Sequence, residues 1–340
     1  EIQHKLEYKI VGAIVDNNLR ELDYTLEEDA DVEFVDIASS YGNRFYTRSL
    51  AFLFIIAAKE VLKGCKVTVE HSLSKGLYCE IHNAGSLDGS RVKKIEEKMR
   101  EIAHKDIPFV KKKYSKKDAE KLFMEREQYD KLELLAHRNK DSINIYSCMG
   151  YYDYFYGYLV PSTGYLDKFE LLCYPPGIVL RFPTRENPHE IPEFFDQPKL
   201  FNIYREFEEW GKIMGIGNIS QLNDYILKGD IKELIWIAEA FHEKKLAEIA
   251  DKICSSKEKK KLVLISGPSS SGKTTFTQRL SIQIRVNGLK TVAISIDDFF
   301  KNRDDTPKTP EGEYDFETID AIDIDLFNEL INKLIEQVDI

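Results

Sequence analysis

Residues 265–276 read ISGPSSSGKTTF, and they decide what the last third of the chain should be. Gly267 to Thr274 satisfy the pattern GxxxxGK[ST], a loop whose glycines let successive backbone N–H groups turn inward on phosphate oxygens. The apolar run KLVLIS (261–266) in front predicts a strand, and TTFTQRLSIQIRVNG (274–288) behind predicts a helix ending at Gly288. A helix N-terminus adds its positive end to the same spot. The phosphate-binding set is therefore Gly267, Pro268, Ser269, Ser270, Ser271, Gly272, Lys273, Thr274 and Thr275. Lys273 is placed to bridge the β and γ phosphates, with the Thr274 hydroxyl on Mg²⁺, so ATP and magnesium are the expected cofactors.

A second apolar stretch, KTVAISIDDFFKN (290–302), predicts another strand, ending on Asp297 and Asp298. Ligands in open α/β sheets sit beyond the carboxyl ends of the strands. An acid there can take a proton from an attacking hydroxyl or position magnesium, which makes Asp297 the catalytic and metal-side candidate beside Lys273. No base-reading NKxD of a GTPase is visible.

Together, GPSSSGKTT, then DDFF (297–300), then DFETIDAID (315–323) resemble the uridine kinase and phosphoribulokinase family over roughly residues 261–330. The resemblance implies transfer of the ATP γ-phosphate to a nucleoside 5′-hydroxyl, activated by Asp297. It puts Asp298, Phe300 and Glu317 at the substrate, with Phe300 where uridine kinases commonly have tyrosine. A kinase of another small alcohol, such as a phosphosugar or pantothenate, and an ATP-binding regulatory or RNA-binding protein are the alternatives. The chain starts at Glu1 rather than methionine, and a fragment of a longer protein with little turnover is expected.

The front of the chain reads differently. Residues 8–38 alternate as short strands, LAFLFIIAA (50–58) predicts a buried helix, and KVTVEHSL with GLYCEIHNA predicts a hairpin. Residues 88–139 are charged with helical spacing, 142–184 are tyrosine-rich strands, and 219–253 are helical again. CSSKEKKK (254–261) has the composition of a linker. The stretches RSLAFLFIIAAKEVL, EHSLSKGLYCEI and GYYDYFYGYLVPSTGYLDKFEL resemble the N-terminal part of threonyl-tRNA synthetase over residues 8 to about 184. That resemblance implies a remnant of the β-grasp (TGS) module followed by the domain that edits mischarged tRNA. The editing family carries HxxxH and CxxxH; here those four positions are Arg48, Phe52, Phe155 and Leu159, which removes the hydrolytic and metal-type ligands.

The expected architecture is an α+β N-terminal region followed by an incomplete α/β P-loop NTPase domain. Its parts are residues 1–40 (β-grasp remnant), 41–218 (editing-like domain), 219–258 (helical connector and linker) and 259–340 (start of the kinase domain). The net charge of −10 disfavours a non-specific grip on nucleic acid, so tRNA binding is not expected. Five scattered cysteines predict reduced thiols in the cytoplasm, and the chain has no apolar run long enough for a membrane span. A small-molecule nucleoside or related alcohol is the expected partner, with a homo-oligomer possible.

Overall fold

A helix made from LAFLFIIAA has no polar side, so it must be covered from every direction. The computed structural model, which describes residues 8–258, 260–310 and 312–337, meets that demand. Helix α1 (Ser40–Val61) starts on Ser39, whose hydroxyl accepts the Gly42 N–H at 3.1 Å. Leu50, Leu53, Phe54, Ile56, Ala57 and Ala58 on it are wholly buried.

Three antiparallel sheets and a second helix supply the cover. Strand β1 (Ile10–Val15) pairs with β2 (Asn18–Arg20) on one side and β3 (Val32–Asp36) on the other. The hairpin β4 (Lys66–Leu73) and β5 (Gly76–His82) precedes α2 (Gly89–His104). Strand β6 (Val110–Ser115) leads through α3 (Lys116–Glu125) and α4 (Tyr129–Ala136) to β7 (Ser142–Cys148) and β8 (Tyr151–Asp153). Strands β9 (Glu170–Tyr174) and β10 (Gly177–Arg181) then return to the hairpin, giving the order β4-β5-β10-β9. Val11, Val35, Cys79, Ile81, Ile95, Met99, Tyr146, Ile178 and Leu180 join α1 in one core. The opposite face of the four-stranded sheet buries Tyr78 and Val179 against Phe201 of helix α5 (Pro198–Ile213).

The buried helix and the hairpin form as the sequence predicts, the hairpin turning through Ser74 (φ 48°) and Lys75 (φ 61°). Three expectations are corrected in this part. The charged stretch 88–139 is not helical throughout, because β6 pairs residue by residue with β7 and its lysines lie on a strand. Within the stretch 8–38 expected to be short strands, β2 covers only Asn18–Arg20, leaving Leu22, Tyr24 and Leu26 exposed. Helix α5 arises where no element was expected; Pro198 opens it, in a position where the missing N–H costs nothing.

The chain divides into units Glu1–Asp224 and Tyr225–Ile340, and α6 (Ile219–Lys228) crosses the division. In the second unit α7 (Ile231–Cys254) packs Leu246 and Ala250 on Leu280 and Ile284 of α8 (Lys273–Val286). Glu243 ties the same helices, pairing with Arg279 and accepting from Gln283 at 3.0 Å. Helix α9 (Ile324–Gln337) follows. The predicted strands at 261–266 and 290–296 do not form, so the described residues of this unit contain no α/β sheet. A strand needs a neighbour to satisfy its N–H and C=O groups. Neither segment pairs with the other, and Leu264 and Val292 are 78% and 73% exposed. The first unit is α+β as expected, and no described helix is long and apolar enough to cross a membrane.

Burial also sets the chemistry of the thiols. It pushes Cys148 from 9.0 up to about 11 and raises Cys65 and Cys79 as well. For Cys148 the thiolate fraction at pH 8 falls about 100-fold below that of an ordinary thiol. Reaction of the native protein with a disulfide reagent at pH 8 is therefore expected to be fast at the half-buried Cys173 and Cys254. The other three should react only on unfolding.

Candidate functional site

The pair Arg48 and Phe52 and the pair Phe155 and Leu159 are far from each other in sequence, yet the fold collects them around one stretch of α1. Arg48 and Phe52 lie four residues apart on one helix face. Phe155 reaches Phe52 from the segment after β8, with ring centroids 5.3 Å apart, and Phe109 closes on Phe52 at 5.8 Å. Leu159 and Phe52 are each 1% exposed. Three hydrophobes thus fill space that in the editing family belongs to polar ligands.

The loop carrying Leu159 is pinned from both sides. The Ser49 hydroxyl donates to the Phe45 carbonyl and accepts the Val160 N–H, both at 2.8 Å, with Ser49 fully buried. Thr163 donates to the Ile102 carbonyl and accepts the Ile107 N–H, again both at 2.8 Å. Asp106 receives the Gly164 N–H at 3.1 Å and the Ser162 hydroxyl. Every polar group of VPSTG named here is spent on holding the loop, so none is left free as a nucleophile.

At the edge of the filled pocket the chemistry is cationic. Arg44 and Arg48 sit one turn apart on α1, and among the described residues neither has a carboxylate within ion-pair distance. Burial, then the Arg44 charge, pulls Arg48 below the usual guanidinium range. Gly157 (φ 115°) lies against it: a Cβ there would come 2.5 Å from Nη1. Lys111 pairs with Glu21 and stands 4.8 Å from the Tyr158 ring, while Glu21 also accepts the Tyr146 hydroxyl. Sequence reading noted Arg48 only as a lost histidine; the pairing with Arg44 at i, i+4 was the available signal.

A separate group on the hairpin, Glu70, Glu80 and His82, brings ligand atoms within 4.8 Å of one another, and sequence spacing gave no sign of it. Two of its members already have partners, with the Tyr78 hydroxyl on Glu80 at 3.0 Å and the Thr68 hydroxyl 2.8 Å from the His82 ring.

In the second unit, Gly272 takes φ 83° and opens α8. The N–H groups of Lys273, Thr274 and Thr275 precede the first helix-closing bond, Phe276 N–H to Gly272 C=O at 2.9 Å, so they face out of the helix as free donors. Lys273 Nζ folds back over the loop onto the carbonyls of Gly267 (2.7 Å) and Pro268 (3.1 Å). The donors, the glycine geometry and the ammonium fit a polyphosphate. Ser269, Ser270 and Ser271 form the exposed bend between, Ser270 with φ 59°.

The other predicted residues are placed elsewhere. Asp297 and Asp298 are exposed in a 3₁₀ turn, and among the described residues neither bonds to the loop. Phe300 meets Phe316 at 5.9 Å, and Lys301 N–H reaches the Ala321 carbonyl at 2.9 Å. The DDFF and DFETIDAID stretches therefore lie side by side. Glu317 is exposed, its N–H on Asp315 at 3.0 Å.

Comparison with known proteins places the first half of the chain. It is 32% identical over 167 residues to threonine–tRNA ligase from Rubrobacter xylanophilus, covering 49% of this chain and 26% of that protein. The enzyme from Thermotoga neapolitana is 29% identical over 168 residues (48% and 26%), and threonine–tRNA ligase 1 of Bacillus subtilis is 31% identical over 148 (43% and 23%). The chain spans about a quarter of the length of these relatives. No protein-family profile matches the chain.

These relatives support the synthetase-like reading of the N-terminal half and overturn the nucleoside-kinase reading. Phosphotransfer by Asp297 and Lys273 to a nucleoside, and with it the uridine-kinase label, does not stand: the relatives are tRNA ligases, and the sheet that would hold Asp297 across from the loop is not formed. The expectation against tRNA rested on net charge, which averages the whole surface and leaves local charge such as that of Arg44 and Arg48 out of account.

If the hydrophobes at the former ligand positions are core, truncation should cost what a core residue costs. Phe52→Ala is expected to lose about 3–5 kcal/mol in urea unfolding, and a loss below about 1 kcal/mol would mean that the pocket is open.

Proposed function

We propose that this chain is a tRNA-handling protein of the aminoacyl-tRNA synthetase kind, whose N-terminal unit contacts tRNA without hydrolysing its ester and whose second unit holds ATP·Mg²⁺. The observation that carries the reading is a threonine–tRNA ligase-like half whose four ligand positions are Arg48, Phe52, Phe155 and Leu159. The relatives are threonine–tRNA ligases, named for threonine and tRNA. Ester hydrolysis needs a polarised water or nucleophile, and three packed hydrophobes and a guanidinium supply neither. What survives is the surface, and that surface is basic at Arg44 and Arg48.

The nucleotide belongs to the loop from Gly267 to Thr275. Its free first-turn amides would take the phosphate oxygens, and the Lys273 ammonium would exchange the Gly267 and Pro268 carbonyls for β and γ oxygens. The Thr274 hydroxyl is the loop's own donor to magnesium.

The intact chain is expected to bind tRNA with an affinity that falls as salt rises, by roughly 0.7–0.9 in log K per log salt for each phosphate neutralised. Mischarged threonine tRNA should lose its amino acid no faster with the protein than in buffer. A flat titration at low salt would remove the tRNA reading, and accelerated deacylation would remove the claim of a retired pocket.

The two activities should separate. Lys273→Met is expected to weaken binding of a fluorescent ATP analogue at least tenfold and leave tRNA affinity unchanged. ATP binding that survives the substitution would show that the nucleotide sits elsewhere.

A further inference from the structure

Strand β5 sends alternate residues to its two faces. Cys79 and Ile81 join the core with α1, so Glu80 and His82 point to the other face with Tyr78, which is buried against Phe201. On β4, Thr68 and Lys66 stand opposite Glu80 and His82. A regular ladder would next set Glu70 opposite Tyr78. Instead His71 takes that place, and Glu70 is the extra residue of a bulge between Val69 and His71. A bulge re-aims the side chain it carries. Here it brings the Glu70 carboxylate to Glu80 and His82, so that one ligand atom from each lies within 4.8 Å of the other two.

Two carboxylates this close repel each other unless a cation lies between them. Among the described residues neither Glu70 nor Glu80 has an ion-pair partner: Lys212 on α5, which feels both charges, is held by Glu208 at 2.5 Å. The remaining contacts orient the group without neutralising it. The Tyr78 hydroxyl takes one oxygen of Glu80 at 3.0 Å and leaves the other open. The Thr68 hydroxyl fixes the His82 ring through Nε2 at 2.8 Å and leaves Nδ1 open. Outer hydrogen bonds of this kind hold the ligands in place at metal sites. Next to Glu70, His71 Nε2 is buried with no hydrogen-bond partner, in the field of Glu70, Glu208 and Glu80.

We infer that Glu70, Glu80 and His82 form a binding site for a divalent transition-metal ion, zinc foremost. Two carboxylate oxygens and an imidazole nitrogen are donors that zinc accepts, and two negative charges offset its own. Magnesium and calcium take oxygen sets, whereas the imidazole selects a softer ion. Ligands about 2.0–2.2 Å from a tetrahedral ion stand roughly 3.4 Å apart. The exposed Glu70 side chain can swing in to close that difference. Three protein ligands leave one position for water, and the ion would clip the bulge of β4 to β5.

The test uses the intact chain, stripped with a chelator and kept reduced, and titrates it with Zn²⁺ by calorimetry. One equivalent should bind with a Kd tighter than about 100 μM. Glu70→Gln changes an exposed residue and leaves the core intact; it should weaken binding at least tenfold, as should His82→Gln. His104→Gln, at the exposed end of α2, should change nothing. With Co²⁺ in place of Zn²⁺, the protein should show the visible bands of a nitrogen–oxygen site without the near-ultraviolet band of a thiolate. Those bands should vanish in Glu70→Gln/His82→Gln.

Zn²⁺ binding weaker than about 100 μM, or unchanged in Glu70→Gln/His82→Gln, overturns the site. A thiolate band would put the ion on a cysteine and overturn it equally. Displacement of Zn²⁺ by an equal concentration of Mg²⁺ overturns the assignment to a transition metal. Each of these results leaves the tRNA and nucleotide readings as they stand, because they rest on other residues.

Discussion

A helix that is apolar on all sides cannot rest on a surface; it has to be wrapped. Helix α1 imposes that condition on the first unit, and the three sheets and α2 are arranged to satisfy it. Burying a helix completely also buries whatever polar atoms its residues carry, and each then needs a partner. Ser49 shows the consequence. Its hydroxyl, fully buried, is satisfied by the Phe45 carbonyl on its own helix and by the Val160 N–H from a distant loop. One serine therefore links the wrapped helix to the segment that closes the pocket.

The same wrapping explains why these positions on α1 and the loop that closes on it belong to the core. Positions 52, 155 and 159 face inward once α1 is enclosed, so hydrophobes there only enlarge the core. Position 48 lies at the rim, where a cation keeps partial contact with water and long side chains can spread over apolar surface. The result is a packed interior beneath a cationic rim.

What the sequence disclosed followed from how local each signal was. LAFLFIIAA and the 66–82 hairpin were legible because their evidence lies within one or two adjacent stretches. VKKKYS (110–115) was not, because nothing in it says strand; it becomes one by pairing with Ile143, Ile145 and their neighbours some thirty residues on. Helix α5 was missed although Phe201 and Tyr204 share a face, the surface that receives them being the reverse of a sheet not yet assembled. Arg44 and Arg48 were visible as residues, but that no carboxylate among the described residues pairs with either is a fact of three dimensions.

The glycine-rich loop marks the opposite limit. Its features are local: a left-handed Gly272, a helix start at Lys273 and a lysine curled back over the bend. The loop opens α8 although no sheet stands behind it among the described residues, so the motif is silent about an acceptor. Naming an acceptor demands more, because a carboxylate must be held opposite the loop by the edge of a sheet. Here the two apolar segments that would build that edge remain unpaired, and Asp297 is exposed in its turn. The step from nucleotide binding to phosphotransfer thus depended on long-range pairing that the described residues do not make.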